Sequence, residues 1–431
     1  MTDVHADEVV TGTPRSRPRA ALPALCATQI TSWGVVYYAF PVLNARITTD
    51  TGWSTTATTG AFSLALVVSA LAGIPVGRIL DRHGPHAVMT SGSLLAVAAV
   101  LAIAHATSLA AFTAAWLLAG LSMAATFYQP AFAAVTRWWG EDRVRALTVV
   151  TLAGGLASTA FAPLTAALAE HLSWRTTYTV LAVILAAITV PAHALALRGT
   201  WPPASTHRTQ HEGHSGSVAR SRPFLVLAAA LTVNGFAMYA VVIALVPLLT
   251  ERGASPTAAA WALGLGGAGQ TLGRTLYATV ARYTGVTART VALIAVGGLT
   301  TGALAAVPGP YPLLLFLSVI AGAVRGNLTL LQATAVTDRW GPAHYGHLSG
   351  LLAAPVTSAS ALAPFAGAAL AGGLGGYPAL FALLAGLSFG AGVLAAGSGR
   401  STSEPGSSNQ AKARVRNSFL TRISGSRSRL K

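Results

Sequence analysis

Two arginines interrupt apolar stretches of this 431-residue sequence. Arg325 sits at the centre of Gly322-Ala323-Val324-Arg325-Gly326-Asn327, and Arg274 lies eight residues before Arg282 in a second stretch. A guanidinium is permanently charged and presents a planar fork of N–H donors that matches a carboxylate or another oxyanion. Placing one inside a lipid-spanning segment costs about 3 kcal/mol on insertion scales, so each is a functional candidate. The 12 acidic residues all fall in loops, tails or helix ends, which leaves neither arginine a fixed counter-ion at mid-span. A bound anion would supply the missing charge. The structural alternative is pairing with backbone carbonyls, or, for Arg274, a side chain that snorkels to the nearer membrane face, roughly 12 Å away at 1.5 Å per residue.

Other residues could line a site around this pair. Trp33, Tyr37 and Tyr38 belong to one apolar stretch, Tyr128 and Gln129 to another, and Asn234 and Tyr239 to a third. They offer aromatic faces and amide groups, although each residue type also fills helix interfaces. Gln332, seven residues beyond Arg325, shares its helical face, whereas Asn327 does not. His105 and His193 read as interfacial residues near helix ends rather than proton relays. His207, His211 and His214 lie in a polar linker without cysteine, so no metal or other cofactor is expected. Gly264, Gly266, Gly267 and Gly269 follow no strand and read as close helix packing instead of a dinucleotide loop. No catalytic constellation is present, and an enzyme is not expected.

The elements that must position these residues follow from composition. The chain is 53% hydrophobic and 9% charged, against about 25% charged in soluble domains. Its apolar runs reach the roughly 20 residues that cross a bilayer. Marking them gives twelve expected spans, over 22–45, 58–77, 87–105, 110–136, 146–170, 176–197, 224–250, 257–282, 289–307, 311–338, 346–371 and 377–396. Of the 28 Lys and Arg residues, 23 fall in the termini and alternate loops, which places both termini in the cytoplasm. The formal charge of +16 is therefore topological, and no nucleic-acid partner is implied. Ala-, Gly- and Arg-rich composition points to a bacterial inner (plasma) membrane. Cys26 stands alone, without an intramolecular disulfide partner.

Offsetting the sequence against itself by 201 residues aligns many features without a gap. Gly34 and Tyr38 match Gly235 and Tyr239, Gly52 and Ser54 match Gly253 and Ser255, and Ala162-Pro163 matches Ala363-Pro364. Ala134-Val135-Thr136 with Trp139-Gly140 meets Ala335-Val336-Thr337 with Trp340-Gly341. The expectation is an all-α membrane protein with two six-helix halves related in parallel, over 21–197 and 224–397. A cytoplasmic tail 1–20, a linker 198–223 and a basic tail 398–431 complete the chain. This is the architecture of a carrier that rocks one half against the other around a midplane site.

Gly77-Arg78-Ile79-Leu80-Asp81-Arg82-His83-Gly84-Pro85 resembles the loop signature of the major facilitator superfamily, and Tyr37-Tyr38-Ala39-Phe40 with Gly52-Trp53-Ser54 is similar to its oxalate/formate antiporter and monocarboxylate porter branch. The resemblance implies an alternating-access transporter of a small organic anion, acting as a monomer in the bilayer. It also implies a conformational latch at Gly77, Asp81, Arg82 and Gly84, with Asp81 docking near Tyr345 and Gly346 when the cytoplasmic side is shut. The second half carries Arg282 in place of Asp81, so the latch is expected to be one-sided. An exporter of drugs or natural products, and a non-transporting receptor on the same fold, are the competing readings.

Overall fold

The computed structural model describes residues 18–201, 217–340 and 345–398; the linker histidines, the basic C-terminal tail and most of the N-terminal tail lie outside these residues. Among the described residues there are twelve long helices and no strand. In the first half, α1 combines Ala21–Trp33, a π-helical turn Gly34–Tyr38 and Ala39–Thr51. It is followed by α2 (Thr55–His83), α3 (Pro85–His105), α4 (Leu109–Trp139), α5 (Arg143–Gly155 continued by Ala157–His171) and α6 (Trp174–Ala196). The second half comprises α7 (Arg222–Glu251), α8 (Pro256–Tyr283), α9 (Val286–Ala306), α10 (Tyr311–Thr334), α11 (Tyr345–Leu374) and α12 (Tyr377–Ala396). A short helix, Thr337–Trp340, precedes α11. Ten of the twelve are long and apolar enough to cross a membrane. The other two, α1 and α8, carry more polar side chains, and both contribute to the site described below.

The repeat read from the sequence reappears as geometry. Gly52 ends α1 in the left-handed region at φ 73°, and Gly253 follows α7 at φ 86°. Two residues on, Ser54 and Ser255 cap α2 and α8 by accepting from the amides of Ala57 and Ala258, each at 3.1 Å. A side-chain oxygen at this position satisfies one of the orphan N–H groups of a helix start. Packing repeats as well: α2 lies against α4 as α8 lies against α10, and α3 against α6 as α9 against α12. Between the halves, α5 meets α8 and α11 meets α2, a pair of contacts related by the same pseudo-symmetry.

The contact between α2 and α11 sits toward the end of the bundle remote from the termini. There the Phe365 amide donates to Ser63 Oγ at 3.0 Å, and the Phe365 ring faces Gly60. At the same end, the hydroxyl of Thr257 on α8 donates to a carboxylate oxygen of Glu170 on α5. On the termini side of the Ser63–Phe365 contact, α2 and α11 line a cavity of about 430 Å³ through Leu66, Ser69, Ala70, Leu352, Val356 and Thr357. The halves are thus joined between α2 and α11 at one end and parted toward the other.

Candidate binding site between the halves

Glycines bring the two arginine-bearing helices together. A Cβ at Gly322 of α10 would strike the backbone of Gly266, one at Gly326 that of Gln270, and one at Gly273 of α8 that of Ala323. Small residues spaced by three or four positions let helix backbones approach closely where lipid offers no hydrophobic drive. The close crossing lets Gln270 accept a hydrogen bond at Oε1 from Nε of Arg325, at 2.8 Å. One helical turn beyond Gln270, Arg274 reaches out of its own half and donates from Nη1 to the Thr151 carbonyl on α5.

Both guanidiniums are buried, Arg274 to 8% and Arg325 to 9% exposure. Nη2 of Arg325 and Nε of Arg274 have no protein partner, and neither do the Tyr37 hydroxyl and the Trp33 indole N–H. These groups converge on a chamber of about 140 Å³ lined by Trp33, Tyr37, Tyr38, Tyr128, Tyr239, Gln270, Arg274, Arg325 and Thr329 among others, none of them acidic. Among the described residues, four carboxylates are engaged elsewhere. Asp81 pairs with Arg137 at 2.8 Å and Asp338 with Arg289 at 2.5 Å, while Asp50 accepts from the Trp174 indole and Glu251 from the Tyr377 amide. Two desolvated cations thus border the chamber with no acidic residue in its lining to balance them.

The facing wall is aromatic. Trp33 stacks on Phe127 with centroids 4.1 Å apart, and packs at 5.3 Å from Tyr37 and 5.2 Å from Tyr128. Tyr37 and Tyr38 contact edge to face at 5.1 Å. Both tyrosines belong to the π-helical turn, a rare element concentrated at functional sites. Gly34, which opens that turn, lies so close to the Phe161 ring of α5 that a Cβ there could not fit.

The structure therefore brings together six of the eight residues singled out for binding: Arg274, Arg325, Tyr37, Tyr38, Tyr128 and Tyr239. Gln129 instead lines the larger cavity, beside Trp33, Tyr37 and Tyr239. Asn234 faces neither; it borders a separate small chamber behind Arg325. Gln332 lines the larger cavity, which Arg325 does not border, while Asn327 turns its amide back onto the Ala323 carbonyl. Gln270 and Thr329 were missed. The signal for both is helical spacing, since Gln270 precedes Arg274 and Thr329 follows Arg325 by one turn.

The expected latch residues lie at the termini end of α2. Gly84 adopts φ 80° and packs against Trp201. The Asp81 carboxylate is held within its own half by Arg137, and its carbonyl accepts from Nη1 of Arg137 and from the Trp201 indole, both at 3.1 Å. Arg82 is exposed, and a Cβ at Gly77 would meet nothing within 4 Å. His193 lies in the last turn of α6, as its position near a helix end predicts, and is fully buried against α3, where Nδ1 pairs with the Ser93 hydroxyl at 2.7 Å. His105 is exposed at the end of α3, as expected.

Among the described residues, twelve long helices in two related halves enclose a chamber between them, the layout of a secondary-transporter fold. The chain belongs to the Major Facilitator Superfamily, whose family model matches residues 25–244 and 225–429. Among curated proteins it is similar to monocarboxylate transporter 13 of Bos taurus, at 32% identity over 209 residues covering 47% of each chain. It also resembles the MFS-type transporter YcxA of Bacillus subtilis (strain 168), at 23% identity over 44% of this chain and 47% of that one. The matched region spans about half the length of these curated relatives. Among solved structures it resembles the nucleoside transporter NupG, with a TM-score of 0.72 at 13% identity over 88% of this chain and 98% of that one. A bacterial homologue of the human lysosomal transporter Spinster, inward-facing and occupied, gives 0.65 at 15% identity over 88% and 95%. These two likenesses concern the fold. The chain is a multi-pass helical membrane protein of this superfamily.

Proposed function

We propose that this transporter carries a small organic anion, of the monocarboxylate kind, by alternating access between its halves. The observation that carries the reading is the pair of buried guanidiniums, each with an unpartnered N–H, on an aromatic-walled chamber without an acidic residue. A carboxylate entering there accepts from Arg325 and Arg274 and replaces water as their partner, while Trp33, Tyr37 and Tyr128 pack the uncharged body. Because Arg274 also bonds the Thr151 carbonyl of the opposite half, an anion that engages it weakens one tie between the halves. This couples occupancy to reorientation.

In this reading the termini face the cytoplasm of a bacterial cell, the carrier works as a monomer in the inner membrane, and the large cavity opens inward. When that side closes, Asp81 leaves Arg137 for the start of α11. Residues 21–197 and 224–397 act as the two moving bodies.

A second reading, export of drugs or natural products, draws on the size of the 430 Å³ cavity and on walls formed in large part by Leu66, Leu231, Leu352 and Val356. Thermal stabilisation of the purified protein by small carboxylates, inorganic oxyanions and amphiphilic drugs separates the two. Ligand at 100 times its dissociation constant adds about 2.7 kcal/mol to the folded state. Stabilisation by a carboxylate, lost in folded Arg325→Ala, supports the anion carrier. Stabilisation by amphiphiles alone, equal in parent and variant, overturns it in favour of the exporter.

A further inference from the structure

Arg325 stands in a partition. In front lies the anion chamber; behind, wholly within the second half, lies another of about 40 Å³ bordered by Asn234, Gly297, Thr300, Thr301, Ser388 and Arg325. Asn234 is 2% exposed, and its Nδ2 has no protein partner.

The repeat-related positions of the first half differ in chemistry from those bordering the rear chamber. Positions 201 residues earlier are Trp33, Ala96, Ala99, Val100, Ala187 and Ala124, in the place of Asn234, Gly297, Thr300, Thr301, Ser388 and Arg325. The offset holds for the elements themselves, since α3 spans Pro85–His105 and α9 spans Val286–Ala306. Ala96, Ala99, Val100 and Ala124 are all buried in the first half. At these four positions the first half buries apolar side chains, whereas Trp33 faces the front chamber and Ala187 is exposed; the second half sets an amide, three hydroxyls and a guanidinium among apolar neighbours such as Met238, Val241 and Leu328.

Hydrogen-bond polarity identifies the occupant. Thr300 and Thr301 both donate to the Gly297 carbonyl, at 3.0 and 2.9 Å, and Ser388 donates to the Leu384 carbonyl at 2.9 Å. With their protons spent, these hydroxyls offer lone pairs, which disfavours an anion. Arg325 disfavours a cation. Water both accepts from Arg325 and Asn234 and donates to the hydroxyl oxygens, and the volume admits about two or three molecules. We infer that the rear chamber is a hydration site that solvates the Arg325 guanidinium when the front chamber holds no anion, with Asn234 and Thr301 as positioning residues. A buried charge needs such partners in the state that lacks a counter-ion. The waters therefore ease passage of the unloaded carrier through its closed intermediate. The kinetic part of this inference rests on the anion-carrier reading, whereas the hydration part does not.

Two measurements test it. A structure of the full chain without substrate, at a resolution that shows ordered water, is expected to contain density hydrogen-bonded to Asn234 and Arg325 in the rear chamber. A dry chamber overturns the proposal, and so does a bromide anomalous signal there. In proteoliposomes loaded with the anion found in the panel above, Asn234→Leu and the near-isosteric Thr301→Val should keep exchange while net efflux falls about tenfold, the equivalent of one lost buried hydrogen bond. An unchanged ratio of efflux to exchange in folded variants overturns the proposed role. If no anion is transported, the density still decides the occupant, and the failure belongs to the anion-carrier reading alone.

Discussion

Arg325 and Gln270 meet across the α8–α10 crossing, Nε to Oε1 at 2.8 Å, with Gly326 and Gly273 removing the side chains that would hold the helices apart. The partner is a neutral amide where a carboxylate would have cancelled the charge. It orients the guanidinium and leaves its positive charge available to a ligand.

Gln270→Glu tests that relationship with almost no change in volume. A carboxylate at this distance competes with substrate for Arg325, so the apparent Kd for a carboxylate should rise at least tenfold while the protein stays folded, the size of effect expected of a charged hydrogen bond worth about 1.5–3 kcal/mol. Gln270→Leu, which frees Nε without adding charge, should weaken binding less. Uptake and thermal-shift titrations read both, and transport by the glutamate variant at the parent KM would remove Arg325 from the binding site.

Arg274 is expected to act in binding and in reorientation because its side chain spans the interface to Thr151. Arg274→Lys keeps the charge but loses the planar fork. Its kcat/KM should fall about 10- to 100-fold, with a larger loss for Arg274→Ala. A fall in kcat alongside a rise in KM is the signature of the dual role, and a change in KM alone would confine Arg274 to substrate binding.

The glycine contacts of α8 and α10 predict a stability cost. Gly273→Ala and Gly322→Ala each drive a methyl group into a facing backbone, of Ala323 and Gly266 respectively, and overpacking of this kind costs about 1–3 kcal/mol. Gly390→Ala, where a Cβ would meet nothing within 4 Å, should leave the melting temperature nearly unchanged. Thermal denaturation in one detergent compares the three.

The Asp81–Arg137 and Asp338–Arg289 ion pairs should differ in strength. Arg137 and Asp338 stand at repeat-related positions with opposite charge, each paired within its own half. The Asp81–Arg137 side chains are 61% and 17% exposed, those of Asp338 and Arg289 26% and 5%. Asp81→Asn should therefore cost under about 1 kcal/mol. Asp338→Asn strands part of a buried guanidinium and should cost about 1–3 kcal/mol. Denaturation of the two variants in detergent checks the order, and equal losses would remove burial as the explanation.

Much of this molecule was already legible in its sequence. Apolar run length is a local property, and lipid demands it of every span, so the twelve helices could be placed before their packing was known. The duplication was equally visible, because Gly52 with Ser54 and Gly253 with Ser255 keep a turn-and-cap chemistry that the backbone requires wherever it reverses. Arg274 and Arg325 stood out because a charge inside hydrocarbon is costly enough to need a reason.

What the linear pattern left open was rotation and partnership. A helix that is apolar on most sides gives no strong periodicity to show which face meets a neighbour, so Asn234 looked equivalent to Tyr239 until the fold turned it behind Arg325. Gln270 emerged as a partner through an α8–α10 approach set by glycines more than fifty positions apart in the chain. His193 sits near a helix end as its position predicts, yet its burial against α3 was not legible, and the Asp81 carboxylate was found on Arg137, a residue that the loop motif does not contain. The sequence alone determined that the chain crosses a membrane in two related halves and carries buried positive charge. Tertiary packing alone decided which donors share a chamber, because that depends on how closely and at what rotation separate helices cross.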